Sequence, residues 1–172
     1  KEPCQIAIDF HSTTSAMGSS IVIYGRRSVD LAIASLLQLR LGLPVYLHEG
    51  DASQTGFLVE SWPCGLVIEI GPAPQSLVTS KVVQQTHLAL ECCLELVAKV
   101  QSGFVHYPDH LVVHCHLGSI DYPREPSGKR IALIHPELQG KDWNPIRKGS
   151  PLFITSKGNT LCYEGLESSI PV

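Results

Sequence analysis

Through the first hundred residues, short apolar runs alternate with longer stretches whose apolar positions recur at helical spacing. Residues 5–10, 20–24, 44–48 and 66–70 are short and rich in Ile, Val and Leu, with Gly, Pro or Ser nearby, and read as strands. Between them, residues 28–41 carry Val29, Ile33, Leu36, Leu37 and Leu41 close to helical spacing, with Ser28 as a candidate N-cap and Gly42 as a stop. A second helix is expected after Pro74, with Val78, Val82, Leu88, Cys92, Leu96 and Val100 on or near one face, ending at Gly103. Buried strands alternating with amphipathic helices predict an α/β layer around a largely parallel sheet. After Pro108 the period shortens. Residues 111–117, 130–135, 151–155 and 160–163 read as short strands, and Lys157-Gly158-Asn159 as a hairpin turn. The pattern thus predicts an α/β domain over 1–105 and a small all-β domain over 106–172, with no internal repeat.

Composition supports a globular protein and narrows its partners. The 172 residues are 44% hydrophobic and 17% charged, enough for a sizeable core. A net charge of −3 without a basic stripe argues against nucleic acid as a partner. No apolar run approaches the ~18 residues of a membrane span, and the start has no signal-peptide pattern. Six cysteines lie irregularly within apolar segments, which reads as buried, reduced thiols in a cytoplasmic protein, not as a disulfide framework. The chain begins without Met and stops on Ile170-Pro171-Val172, so both ends are expected to be cuts from something longer.

The candidate chemistry sits where two strands give out. His11 follows Ile6-Ala7-Ile8, and Asp9, one strand period away, shares its face and is placed to orient the imidazole. Ser12, Thr13 and Thr14 follow, a hydroxyl-rich loop that can bind a ligand or satisfy its own backbone. Glu69 ends the apolar run Leu66-Val67-Ile68, where a carboxylate is either ion-paired or kept for proton transfer. One imidazole and one carboxylate suggest metal-assisted hydrolysis, although a catalytic zinc needs about three protein ligands. His114 and His116 share a strand face but have no third ligand nearby in sequence. They are expected to be a solvent-facing pair, and Cys92-Cys93 to pack in the core.

Taken in order, Asp9-Phe10-His11-Ser12-Thr13-Thr14-Ser15-Ala16-Met17-Gly18, Ile68-Glu69-Ile70-Gly71-Pro72-Ala73-Pro74-Gln75, Asp121-Tyr122-Pro123-Arg124, Ile134-His135-Pro136-Glu137-Leu138-Gln139 and Asp142-Trp143-Asn144-Pro145 resemble the aspartoacylase family. Leu161-Cys162-Tyr163-Glu164-Gly165 is similar to the branch that deacylates N-acyl aromatic amino acids. The resemblance covers nearly the whole chain. It implies a zinc-carboxypeptidase-like α/β domain, a C-terminal β domain narrowing the entrance, and a zinc-dependent amidohydrolase acting on a small N-acyl amino acid. By that resemblance His11 is the third zinc ligand and Glu69 the general acid/base; Asp9, Ser12 and Thr13 are expected to lie just behind the ligand. The chain stays open to homo-oligomer formation.

Three departures qualify the resemblance. The family's other two zinc ligands, in a Gly-Thr-His-Gly-Asn-Glu motif, and its substrate-carboxylate residues belong upstream and are absent here, so the remaining ligands of one zinc ion are expected outside this chain. The aspartate-selective branch has an arginine ten residues before the glutamate; here that position is Val59, within Thr55-Gly56-Phe57-Leu58-Val59, the expected substrate-binding segment. An apolar residue cannot pair a carboxylate, which makes an aromatic or apolar substrate at least as good an expectation. Ser12 and Ala16 stand where the family has asparagines. A related zinc carboxypeptidase, a desuccinylase, or a binding module that kept the fold without catalysis are the alternatives.

Overall fold

The computed structural model describes residues 4–49 and 54–165, which divide into two compact units meeting at Leu117 and Gly118. In the first, strands β1 (Ile6–Ser12), β2 (Ser20–Tyr24), β3 (Val45–His48), β4 (Cys64–Ile70) and β5 (Val113–Cys115) form one sheet in the order β1-β4-β2-β3-β5. Three of its four junctions are parallel, and β2 runs antiparallel to β4. Helices α1 (Ser28–Leu41) and α2 (Ser80–Gln101) complete the unit.

Strand alternation divides the sheet into two different faces. Ile6, Ile8, Phe10, Ile21, Ile23, Val45, Leu47, Leu66, Ile68, Ile70, Val113 and Cys115 meet Ile33, Ala34 and Leu37 of α1 and Ala89, Cys92, Cys93 and Leu96 of α2 in one apolar core. Each large side chain fully buried there contributes about 1.5–3 kcal/mol. The opposite face carries Asp9, His11, Ser20, Val22, Tyr24, Tyr46, His48, Val67 and Glu69. Of these, Val22 and Val67 pack with Val59 in a small second cluster. One face makes the main core, and the other carries the candidate site residues.

The helices begin and end for local reasons. Gly42 closes α1 in the left-handed region, φ 66°, its N–H returning to the Gln38 carbonyl. The residue capping the start is Arg27 and not the expected Ser28, which is already helical, and no side chain caps there. Thr79 caps α2, its hydroxyl oxygen accepting from Val82 N–H at 3.3 Å. The buried face of α2 differs from the expected one, since Val78 precedes the helix and Leu88 is exposed. Residues 111–117, expected in the β domain, instead supply β5 to the first sheet, parallel to β3. A three-residue strand has too little pattern to name its partner, and the sheet edge left by β3 decides it.

A 3-10 turn at Leu58–Ser61, which periodicity did not register, packs against the chemical face near the base of β4. Gly65 permits this approach, because a Cβ there would run into the carbonyl of Val59. Gly65→Ala should therefore cost about 1–3 kcal/mol through overpacking, read as a lower urea midpoint. An unchanged midpoint would mean that the turn gives way freely.

In the second unit, β6 (Ala132–Ile134), β7 (Pro151–Thr155) and β8 (Thr160–Cys162) form an antiparallel sheet in sequence order. The expected β7–β8 hairpin is present, with Gly158 at φ 81°. The Asp121-Tyr122-Pro123-Arg124 motif is structural here: Asp121 accepts from Tyr122 N–H at 2.7 Å and from Arg124 Nε at 3.1 Å. Arg130 stacks over the Tyr122 ring at 4.4 Å. None of the six cysteines forms a disulfide; Cys64, Cys92 and Cys93 are buried as expected, whereas Cys4 and Cys162 are exposed. Among the described residues no helix is long and apolar enough to cross a membrane.

Candidate active site

The parallel pairing of β1 and β4 places His11 opposite Glu69, with Ser20 of β2 on the other side of Glu69. Adjacent strands lie about 4.8 Å apart, so the imidazole and the carboxylate project side by side from one face. Beyond them β1 and β4 run into loops that bind each other. Thr13 N–H donates to the Ile70 carbonyl at 3.0 Å, and Ala73 N–H donates to the Thr13 carbonyl at 2.8 Å. A Cβ on Gly71 would lie 2.6 Å from both the Thr13 methyl and its carbonyl oxygen, so only glycine lets these loops close. The ends of both strands are thereby held rigid.

Asp9 Oδ2 lies 3.0 Å from His11 Nε2. A carboxylate only accepts, so this contact calls for a proton on Nε2, and a neutral imidazole held this way keeps its Nδ1 lone pair for another partner. That is the tautomer and orientation a metal-ligating histidine needs. The His11 side chain is 54% exposed, open to a ligand. Glu69 is half-buried, and this burial pushes its carboxyl above the ordinary carboxylate value; Asp9 adds to the rise while His11 opposes it. A carboxyl poised upward is suited to accept and return a proton.

Of the other expected site residues, Thr13 braces the loop: besides its backbone bonds, its hydroxyl oxygen accepts from Ser15 N–H at 3.1 Å. Ser12 is exposed at the end of β1, pairing in register with Ile70. Thr55 and Gly56 are exposed, and Gly56 and Phe57 N–H both donate to Glu60 Oε2 at 2.8 and 2.7 Å. Leu58 points to solvent. Val59, expected to meet the substrate, is only 1% exposed and packs on Val22 and Val67. Its place is the core under the turn, because the turn needs an apolar anchor against the sheet.

Sequence reasoning missed what surrounds this pair. Tyr24 stacks on Phe57 with ring centroids 4.1 Å apart and 25° between planes. His48 meets both edge-on at 5.6 Å, and His116 stacks on His48 at 5.0 Å. His116 is thus half-buried among rings and not the expected solvent-facing residue. Alternation in 20–24 and 44–48 marks Tyr24 and His48 as facing away from the core; no local signal says that they meet.

Arg27 ties the 3-10 turn to the helix. Its Nε donates to Asp30 at 2.6 Å and its Nη1 to the Trp62 carbonyl at 2.6 Å, while fully buried Asp30 also accepts from Gly65 N–H at 2.9 Å. A cleft of about 500 Å³ lined by Leu31, Leu47, Leu111 and Val113 opens on the helix side of the sheet, away from His11 and Glu69.

For metal, the donor set is incomplete. His11 offers one well-oriented nitrogen, but among the described residues no three His, Cys, Asp or Glu side chains converge on a point.

Comparison with known proteins accounts for both units. Residues 1–97 match the succinylglutamate desuccinylase/aspartoacylase catalytic domain, and residues 109–172 match the AstE/AspA barrel-sandwich hybrid domain. A probable aspartoacylase of Prochlorococcus marinus (strain MIT 9313) is 60% identical over 170 residues, covering 99% of this chain and 56% of that protein. Another, from Synechococcus sp. (strain CC9605), is 55% identical over 172 residues, covering 100% and 57%. The chain therefore spans about half the length of these relatives. Murine aminoacylase 3 has the same fold, with TM-score 0.79 at 24% identity over 95% of this chain and 55% of its own. Its E177A mutant superposes with TM-score 0.80, over 96% and 55%. On these matches the chain belongs to the succinylglutamate desuccinylase/aspartoacylase family.

Proposed function

We propose that this chain contributes the proton shuttle and one metal ligand to a cytoplasmic amidohydrolase that releases amino acids from N-acyl amino acids. The observation that carries the proposal is the register of β1 and β4, which sets His11 beside Glu69 with Asp9 holding the imidazole. In this reading His11 Nδ1 is one ligand of a zinc ion whose other ligands lie outside the described residues. When bound, such an ion supplies Lewis-acid polarisation of the amide carbonyl and of a water molecule.

Glu69 takes a proton from the attacking water and returns it to the amine as the amide bond breaks. Its raised pKa suits both directions, since a weaker acid is a better base and still gives up its proton to a basic amine. Asp9 keeps His11 in one tautomer throughout. The family match to deacylating enzymes supports this chemistry over peptide cleavage at a chain end.

The test uses the complete protein loaded with zinc and a panel of N-acyl amino acids, following release of free amine. Hydrolysis is expected, with loss on chelation and recovery on returning zinc. Activity indifferent to thorough metal removal would overturn the metal assignment, and no turnover of any amide would overturn the enzyme.

A further inference from the structure

We propose that Ser20 is a positioning residue for the proton shuttle, its buried hydroxyl donating to the Glu69 carboxylate from the side away from His11 and fixing one of the two oxygens. The proposal rests on the amidohydrolase reading above and deepens it.

Strand register puts three side chains in one row. His11 of β1 is the partner of Glu69 in β4, and Glu69 is in turn the partner of Ser20 in β2. Directly paired residues on adjacent antiparallel strands share a face, with Cβ atoms about 4.5–5.5 Å apart. Glu69 therefore has the imidazole on one flank and the serine hydroxyl on the other. A metal held by His11 belongs to the imidazole flank, so Ser20 meets the carboxylate from the opposite side.

The hydroxyl needs a partner and has few to choose from. Ser20 is fully buried, and among the described residues nothing pairs with its Oγ. A buried hydroxyl left in this way costs stability that a small apolar side chain would not. Around it on that face, Val22 packs with Val59 and Val67. Toward β3 stands Pro44, whose carbonyl already accepts from Ile21 N–H at 2.9 Å. The next hydroxyl along the chain is in use, since Ser19 Oγ accepts from Gly71 N–H at 3.4 Å. Glu69 is the register partner of Ser20 that can accept. Rotation about χ1 between staggered wells swings Oγ toward it without moving the backbone.

The consequence is a carboxylate held in one orientation. With one oxygen bound to Ser20, the other is directed to the His11 flank and the attacking water. A base free to turn about its last bonds would meet that water in the productive geometry only part of the time. Half-burial of Glu69 makes the bond count for more than it would in water.

The experiment measures kcat and KM of the complete, zinc-loaded protein on an N-acyl amino acid that it hydrolyses, in wild type, Ser20→Ala, Ser20→Cys and Ser20→Thr. Cysteine keeps the volume but donates weakly, whereas threonine keeps the hydroxyl and adds a methyl that a strand accommodates. Positioning predicts a fall in kcat of about tenfold in both Ser20→Ala and Ser20→Cys, the loss of one hydrogen bond to a charged group. KM should change little, and Ser20→Thr should keep most of the activity. A role in packing alone predicts the reverse order, with cysteine tolerated and threonine not, and that order would overturn the proposal. Urea midpoints of Ser20→Ala, Glu69→Ala and the double variant read the contact without turnover. Losses that simply add, or an unchanged kcat in Ser20→Ala, would also overturn it. Coupled losses in a protein that turns over no amide would leave Ser20 holding Glu69 and overturn the amidohydrolase reading instead.

Discussion

Glu69→Gln should reduce kcat for N-acyl amino acid hydrolysis by the complete protein about 10²- to 10⁴-fold while KM changes little, the range expected when a positioned general acid/base is removed. Glutamine keeps the shape of the side chain and its place opposite His11 but can neither take the water's proton nor return one. The wild-type acid limb of kcat/KM should lie above the ordinary carboxylate value of about 4.3, because burial raises Glu69. A variant keeping most of its activity would transfer the proton shuttle to another group.

The same shift has a consequence for stability, with a definite sign. A carboxyl whose folded pKa exceeds its unfolded pKa keeps its proton longer in the folded state. Below both values it is protonated in both states and has no effect. As pH rises through the window between them, the unfolded chain ionises first, so stability falls and stays lower above the window. Glu69→Gln escapes this loss. It should be more stable than wild type at neutral pH, with the difference vanishing in acid, as read from urea midpoints across pH. A pH-independent difference would deny that burial of the charge is its source.

Asp30→Ala should strongly destabilise the first unit, by about 3 kcal/mol. Asp30 is fully buried and answers two groups at once, the Arg27 guanidinium at 2.6 Å and Gly65 N–H at 2.9 Å. Alanine leaves a partly buried cation without its counter-charge and a buried N–H without an acceptor. Against a typical total of about 5–15 kcal/mol, that is a large share. Asp30→Asn keeps an acceptor for Gly65 and should fall between alanine and wild type. Because Arg27 also holds the Trp62 carbonyl, loss of its partner should loosen residues 57–62, seen as faster amide exchange there. Equal stability of all three proteins would show the network to be idle.

Much of the first unit was legible along the chain because its elements are long relative to their period. Fourteen residues at helical spacing before Gly42 specify α1 and its end, although the cap at its start is Arg27 and not Ser28, and 20–24 specifies β2 at both ends. Residues 113–115 are too short for such a signal, and their membership in the first sheet depends on hydrogen-bonding groups that β3 leaves open. Val59 shows the other limit. Its position ten residues before Glu69 suggested contact with a substrate, yet the turn at 58–61 folds it into the core, and Phe57 stands at the chemical face instead.

That Asp9 and His11 share a strand face and that Glu69 ends an apolar run could be read from the chain itself, because a period of two and the end of an apolar run are local properties of adjacent residues; the roles expected of them came from the family resemblance. Their register across β1 and β4, the ring patch of Tyr24, Phe57 and His48, and the hold of buried Asp30 on Arg27 and Gly65 were decided only by the tertiary structure. Each of these joins residues that are distant in sequence. Such contacts follow from how strands pair and which face the helices cover, and no local pattern encodes that.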